Sequence, residues 1–247
     1  NLRHRNLGAI NLDDAIMPDA DFTGCNLTGA NLSESYLKGA KFCDTSLYNA
    51  CLVDANITAC NFTGAAFGGT DFLVNSAGIA GPNVSVEDYD NDAFRQVLDI
   101  NLMGTYFTNK AVVAGMKARG FGRIVNIASA HGLTASPFKS AYVTAKHGVV
   151  GLSKVTALET AEEDITCNAI CPGYVLTPLV EAQIPDTMKE YGMTREEVIQ
   201  NVMLTRQPSK EFATADQLGG TATFLCSSAA DQITGTTISV DGGWTAL

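Results

Sequence analysis

The chain has no run of 18 apolar residues, so nothing in it reads as a membrane-spanning helix. It has no CxxC pair, and its 7 cysteines and 3 histidines do not fall at metal-ligand spacing, so no metal site is expected. The odd cysteine count fits small buried thiols in a reducing cytosol better than a disulfide framework, and a cytoplasmic protein is the expectation. No basic, apolar leader opens the sequence. It starts with Asn1 rather than Met, as expected of a trimmed chain, an engineered one or a fragment. Positive charge is scarce: 16 Lys and Arg against 26 Asp and Glu leave a net −10, with no basic stripe. Nucleic-acid binding is therefore not expected. Trp244 is the single tryptophan.

What is present first is a beat of five. Every fifth residue from Leu2 to Phe72 is large and apolar, and a second register from Ala15 to Thr70 is small throughout. A period of five matches neither a 3.6-residue helix nor a two-residue strand. It describes a square coil, each five-residue step forming one side, with the large residue on the axis and the small one letting the wall approach. The stretches "ANLSE" and "DFTGCNLTGANL" resemble the pentapeptide-repeat family. That resemblance implies a right-handed quadrilateral β-helix with four repeats per coil over residues 1–72. Such coils serve as interaction surfaces or as structural spacers, and both readings stay open.

After Phe72 the period changes. "FLVNSAG", "GRIVNIAS", "ITCNAICPG" and "TTISVDGG" are short apolar runs ending in small residues, as buried parallel strands do. Helical stretches lie between them, near 101–119 ending at Gly120, near 139–163, and after the N-cap candidate Thr214. Strands alternating with helices predict a parallel α/β sheet in residues 73–247. The fold class expected is thus mixed, a repeat coil joined to a truncated Rossmann-like sheet.

The chemistry centres on "SAYVTAKHG". Tyr142 and Lys146, four apart, share a helical face, and Ser129 closes the second strand. A phenol titrates near 10 in water. A neighbouring ammonium stabilises its phenolate, and a serine can hold a carbonyl oxygen beside it. The plain alternative is a surface Tyr–Lys pair.

With the serine spacing, this segment resembles the short-chain dehydrogenase/reductase family. "NSAG" at 75–78 matches its NNAG motif with Ser76 in place of Asn, and "CPGYVLTPLV" matches its nicotinamide segment. The resemblance implies a tetrad of Asn101, Ser129, Tyr142 and Lys146. It implies NAD as cofactor, held at its nicotinamide end by Asn75, Ala77, Gly78, Tyr142, Lys146, Val175 and Thr177. Within the family, "GRIVNIASAHGLTASPFKSAYVTAKHGVVGL" and the ending "VDGGW" resemble the D-3-hydroxybutyrate dehydrogenase branch. That implies a small hydroxy-acid or keto-acid substrate, its carboxylate gripped by His131, Lys139 and Gln183, with Ser129 at its oxygen and Trp244 lining the pocket. Ala80 and Tyr174 depart from the branch, which has Gln and Trp there. Family tetramers pair the two long helices, so a homodimer or homotetramer is an expectation.

One element of the family is missing. The first strand, the TGxxxGxG loop and its helix, which would cradle the pyrophosphate, have no counterpart; the repeat occupies their place. NAD binding is expected to be weak or absent. Three readings follow: a hydroxy-acid dehydrogenase, an inactive chimera, or a repeat-based scaffold. Phe72 is expected to serve both the coil axis and the first strand. The coil is expected to stack on the sheet face that the missing helices leave bare.

Overall fold

The computed structural model describes residues 1–246 apart from 49, 53–54, 56, 58–59, 63–64, 66–68 and 182–183, with only the backbone of 178–179. In the repeat segment, isolated parallel bridges join residues twenty apart, from Asn6 with Asn26 to Lys41 with Asn61. Four five-residue steps therefore bring the chain back beside itself. Each step turns at a left-handed residue, and His4, Ala9, Asp14, Asp19, Gly24, Gly29, Glu34, Gly39 and Asp44 all have φ between 51° and 75°. A backbone bond closes the turn, as from Cys25 N to Phe22 O at 2.9 Å.

The large register is the core of this segment. Phe22, Leu27, Leu32, Leu37 and Phe42 have no solvent exposure. Phe22 stacks on Phe42 at 5.0 Å, and Phe42 on Phe62 at 4.9 Å. The small register packs beside it: Cys25, Ala30, Ser35 and Ala40 are all at or below 2% exposure. Phe67, the next axis position, lies outside the described residues.

The remaining chain forms a four-stranded parallel sheet in the order β1 (Phe72–Asn75), β2 (Phe121–Ile127), β3 (Asp164–Pro172), β4 (Thr237–Val240). Helices α1 (Asn91–Leu98), α2 (Gly104–Arg119) and α3 (Ser140–Glu159) connect the first three strands. A π-helical turn, Asp99–Met103, joins α1 to α2. Gly120 ends α2 at φ 69°, as its position predicts. The short helices α4 (Pro178–Glu181), α5 (Ile184–Tyr191) and α6 (Arg195–Asn201) follow β3. Helix α7 (Ala215–Leu225) starts at Thr214 with a capping box to Gln217.

Parallel strands bury both faces. On one face Ile124 and Cys167 pack with Val112 and Met116 of α2 and Ala157 of α3, with Leu73 alongside. On the other, Val125 and Ile170 pack with Leu225 of α7. That second cover stops short of β1, where Phe72 and Val74 stay 54% and 49% exposed.

The expectation that the coil covers this face fails at Phe72 and Val74, which stay half-exposed. Phe72 opens β1, edge-on to Phe121 at 6.0 Å, and its coil-side neighbours 66–68 lie outside the described residues. Arg119, at the end of α2, bonds Asp71 at 3.2 Å and the carbonyl of Thr70. Among the described residues no helix is long and apolar enough to cross a membrane.

Candidate active site

Parallel strands present their C-terminal ends to one edge of the sheet, where an open α/β fold has its crevice. Ser129 follows β2 there. Its hydroxyl accepts from the His131 backbone at 3.2 Å, which sets the oxygen beside the Tyr142 phenol. Tyr142 stands on the first turns of α3, anchored through the fully buried Ala141 and Ala145. Lys146, one turn on, is 5% exposed and donates to the Ile127 carbonyl at 2.9 Å. Its ammonium lies 5.7 Å from the Tyr142 ring centre.

Burial dominates the titration here. It pushes the Tyr142 phenol upward, against the lowering effect of the Ser129 bond. It brings Lys146 down to about 8. Desolvation is the largest influence on the phenol in this geometry, and Lys146 places one of its three donors on a backbone carbonyl.

Asn101 sits in the π-helical turn, 1% exposed, and its amide clamps the Ile79 backbone, accepting from N at 2.7 Å and donating to O at 2.8 Å. That holds the loop after β1, with Ala77 and Gly78, against the turn. A Cβ on Gly78 would come within 3.0 Å of Asn101 Oδ1 and 3.6 Å of Lys146 Nζ, so bare backbone faces the lysine. Asn75 is tied up differently. Its amide nitrogen donates to Asn109 at 2.9 Å and Asn126 at 2.7 Å, and its oxygen accepts from Thr108 at 2.7 Å. Only its backbone is left for a ligand.

The substrate-side residues gather around His131. Its ring is edge-on to Tyr142 at 5.8 Å and to Trp244 at 5.1 Å. Burial lowers it to about 4, with Lys139, Arg206 and His147 adding repulsion, so it is neutral near pH 7. Lys139, at the start of α3, donates to Asn83 at 2.9 Å. Tyr174 stacks on Trp244 at 5.7 Å, closing a wall of two rings. Val175 bridges to Ala213, and the Thr177 hydroxyl accepts from Val180 N at 3.4 Å at the start of α4. Gln183 lies outside the described residues.

Several contributors were not visible in the sequence. Ser136 bonds His131 Nε2 at 2.9 Å, and Arg206 reaches Ser136 at 3.2 Å. Gln207, 1% exposed, fixes the Tyr174 backbone nitrogen at 3.0 Å. Asp241 in "VDGGW" accepts from Gly243 N and Thr245 N at 3.0 and 2.9 Å, which shapes the turn that delivers Trp244. Gln207 and Asp241 are singled out by their burial, which the sequence does not reveal, and Ser136 and Arg206 by tertiary contacts without periodicity.

The bare backbone of Gly78 stands beside the buried Lys146, and Ser129 stands beside Tyr142, the residue types that the nicotinamide end of a dinucleotide would need. The phosphate end does not fit. Gly24, Gly29 and Gly39 are left-handed turn residues of the repeat, and the first helix among the described residues begins only at Asn91. Among the described residues, no glycine loop leads into a helix N-terminus to receive a pyrophosphate.

Residues 53–245 match the family model described as enoyl-(acyl carrier protein) reductase, and residues 1–33 and 25–64 match pentapeptide repeats. The chain is 53% identical over 180 residues to a D-beta-hydroxybutyrate dehydrogenase of Rhizobium meliloti, covering 73% of this chain and 69% of that protein. It is 48% identical to the enzyme of the same name from Cupriavidus necator, with the same coverage. Among solved structures it superposes on actinorhodin polyketide ketoreductase with NADPH at TM-score 0.66 and 32% identity, over 72% of this chain and 68% of that one. A putative 2-deoxy-d-gluconate 3-dehydrogenase from Agrobacterium tumefaciens with bound NADP gives 0.64 and 35%, over 74% and 70%.

Proposed function

This chain belongs to the short-chain dehydrogenase/reductase family, and we propose that residues 73–247 are an oxidoreductase unit for the CH–OH group of 3-hydroxybutyrate or a similar small hydroxy acid. The observation that carries the reading is Ser129 beside the Tyr142 phenol, with the neutral His131 ring edge-on to both Tyr142 and Trp244. Ser129 and Tyr142 hold the reacting oxygen. Tyr142 exchanges a proton with it: given up when a ketone is reduced, taken when an alcohol is oxidised. The carbinol hydride needs an acceptor, which is the chemistry that a nicotinamide supplies when bound.

The residues supporting the nicotinamide end are Asn75, Ala77, Gly78, Tyr142, Lys146, Val175 and Thr177, with NAD the dinucleotide expected. Asn101 holds the loop that carries two of them, Ala77 and Gly78. His131, Lys139, Gln183 and Trp244 are the proposed acid-binding set. Because burial raises Tyr142, its resting form is the protonated phenol. Ketone reduction starts from that form, while oxidation needs the phenolate and speeds up with rising pH.

The repeat supports a second part of the reading. Residues 1–72 form a separate unit, a right-handed quadrilateral β-helix, in place of the phosphate cradle. Dinucleotide affinity is correspondingly low, because the adenosine and pyrophosphate contacts are missing. Val155 and Leu158, 51% and 78% exposed on α3, support self-association through that helix.

NADH titration by fluorescence, followed by a 3-hydroxybutyrate assay on the wild type and Tyr142→Phe, tests this. The expected result is millimolar binding of both NADH and reduced nicotinamide mononucleotide, no binding of AMP, and turnover that disappears in the variant. Turnover that survives Tyr142→Phe sinks the assignment. Absence of both binding and turnover at millimolar cofactor favours the inactive scaffold.

A further inference from the structure

We infer that Arg206, acting through the Ser136 hydroxyl, fixes the tautomer of His131 so that Nδ1 carries its ring proton. The assignment itself stands on geometry; what the proton does for a ligand rests on the oxidoreductase reading above.

Arg206 ends the 3-10 turn Met203–Arg206, which follows α6. Its Nη1 donates to the Ala135 carbonyl at 2.8 Å and to Ser136 Oγ at 3.2 Å, across seventy residues of sequence. The guanidinium therefore clips the segment after α6 onto the loop after β2. Ser136 Oγ also lies 2.9 Å from His131 Nε2. Three groups thus stand in a row, and the direction of each bond can be worked out.

A guanidinium only donates. The Ser136 oxygen must accept from it. A hydroxyl whose oxygen faces a cation turns its hydrogen away, and Nε2 is the acceptor in reach. The opposite arrangement would leave the serine proton without an acceptor among the described residues. With Nε2 accepting, a neutral imidazole keeps its proton on Nδ1. The ring is 6% exposed, and Lys139, His147 and Arg206 all oppose a second proton.

Nδ1 has no hydrogen-bond partner among the described residues, so it is the ring nitrogen left for a ligand. As N–H it donates to a carboxylate. As a bare lone pair it would repel one. Arg206 and Ser136 are positioning residues in this account, and neither needs to touch the substrate.

The test is long-range 1H–15N spectroscopy of the whole chain, uniformly 15N-labelled, at neutral pH. His131→Asn assigns its signals among the three histidines. The wild type is expected to give the Nδ1–H pattern. Ser136→Ala and Arg206→Ala are expected to lose it in favour of Nε2–H or a mixture, while Arg206→Lys retains it. An Nε2–H wild type, or an unchanged pattern in both alanine variants, overturns the inference. Both sites are on partly or fully exposed positions, and circular dichroism checks that the variants fold. Calorimetric titration with acetoacetate gives the second readout, with affinity expected to fall about fivefold in both alanine variants, one hydrogen bond's worth, and to hold in Arg206→Lys. A changed tautomer with unchanged acetoacetate affinity supports the inference and sinks the acidic-substrate reading instead.

Discussion

The repeat segment and the sheet differ in how they bury polar groups. In the repeat, Ser35 and Thr45 are buried completely, and each hydroxyl ends on a carbonyl at 2.6 Å, that of Leu32 and that of Phe22. Those bonds satisfy the coil and go no further. Around the sheet, Asn101, Asn126, Ser129, His131, Lys146 and Gln207 are all below 9% exposure, and their bonds join different elements. Lys146 has three donors and a single hydrogen-bond acceptor, the Ile127 carbonyl, among the described residues. Burying polar groups is costly unless they are paired. A region that buries them and leaves capacity over is built to receive something; a region that closes every bond on itself is built to stand.

The largest test of that contrast is Phe42→Ala. It removes the middle ring of the Phe22–Phe42–Phe62 stack, and a cavity of that size costs about 3–5 kcal/mol. Stacked repeats depend on their neighbours, so far-UV circular dichroism should lose the coil early. Trp244, the only tryptophan, reports the sheet region alone. Its fluorescence transition should not move. A common shift would mean that the two regions unfold as one and would break the comparison.

Asn101→Ala attacks the other side. It strips partners from both backbone groups of Ile79, and stranded backbone groups cost about 2–4 kcal/mol together. The Trp244 transition in urea should fall by that amount, with the coil signal unchanged. Equal loss in both signals would show that the clamp is not local.

The third effect is smaller and depends on pH. His131 is lowered to about 4 in the fold by burial, against about 6.5 when unfolded. Between those values the unfolded chain binds the extra proton, so stability rises with pH there. The contribution is complete above about 6.5 and is lost as pH falls towards 4. The slope is at most about 1.4 kcal/mol per pH unit and less where solvent screens the ring. Urea midpoints followed by Trp244 should show it, and His131→Asn should flatten it. A slope that persists in His131→Asn assigns the effect to other groups.

How much of this could be read from the sequence follows from the kind of force involved. The coil was legible because its axis repeats: Phe22, Phe42 and Phe62 fall in one register, and the register is the structure. The strands were legible from their own pattern, and Tyr142 and Lys146 share a helical face because they lie four apart. The cover of the sheet was not legible, because Phe72 obeys both the five-residue beat and the strand pattern, and only packing decides between them. Nor was the Arg206–Ser136 contact, which joins segments seventy residues apart through exposed polar side chains with no periodicity. Sequence gives the charge of a neighbour such as Lys146 but not the depth of burial, which is the largest influence on Tyr142.

The finest comparison uses one chemical change in both regions, glycine to alanine where space is open. Gly29 and Gly151 each have nothing within 4 Å of an added Cβ. Gly29 stands at φ 68° in a repeat turn, where an L residue meets its own backbone, at about 1 kcal/mol. The cost is bounded because Ala9 already adopts φ 53° at the equivalent turn position. Gly151 lies inside α3, where alanine adds helix propensity and removes freedom from the unfolded chain. Gly29→Ala should therefore lower the coil transition by about 1 kcal/mol, and Gly151→Ala should raise the Trp244 transition by up to about 1 kcal/mol. Opposite signs from the same methyl group would locate the difference in backbone geometry rather than in contacts. Matching signs would mean that the left-handed turns of the coil relax freely, and that the repeat is held by its axial column alone.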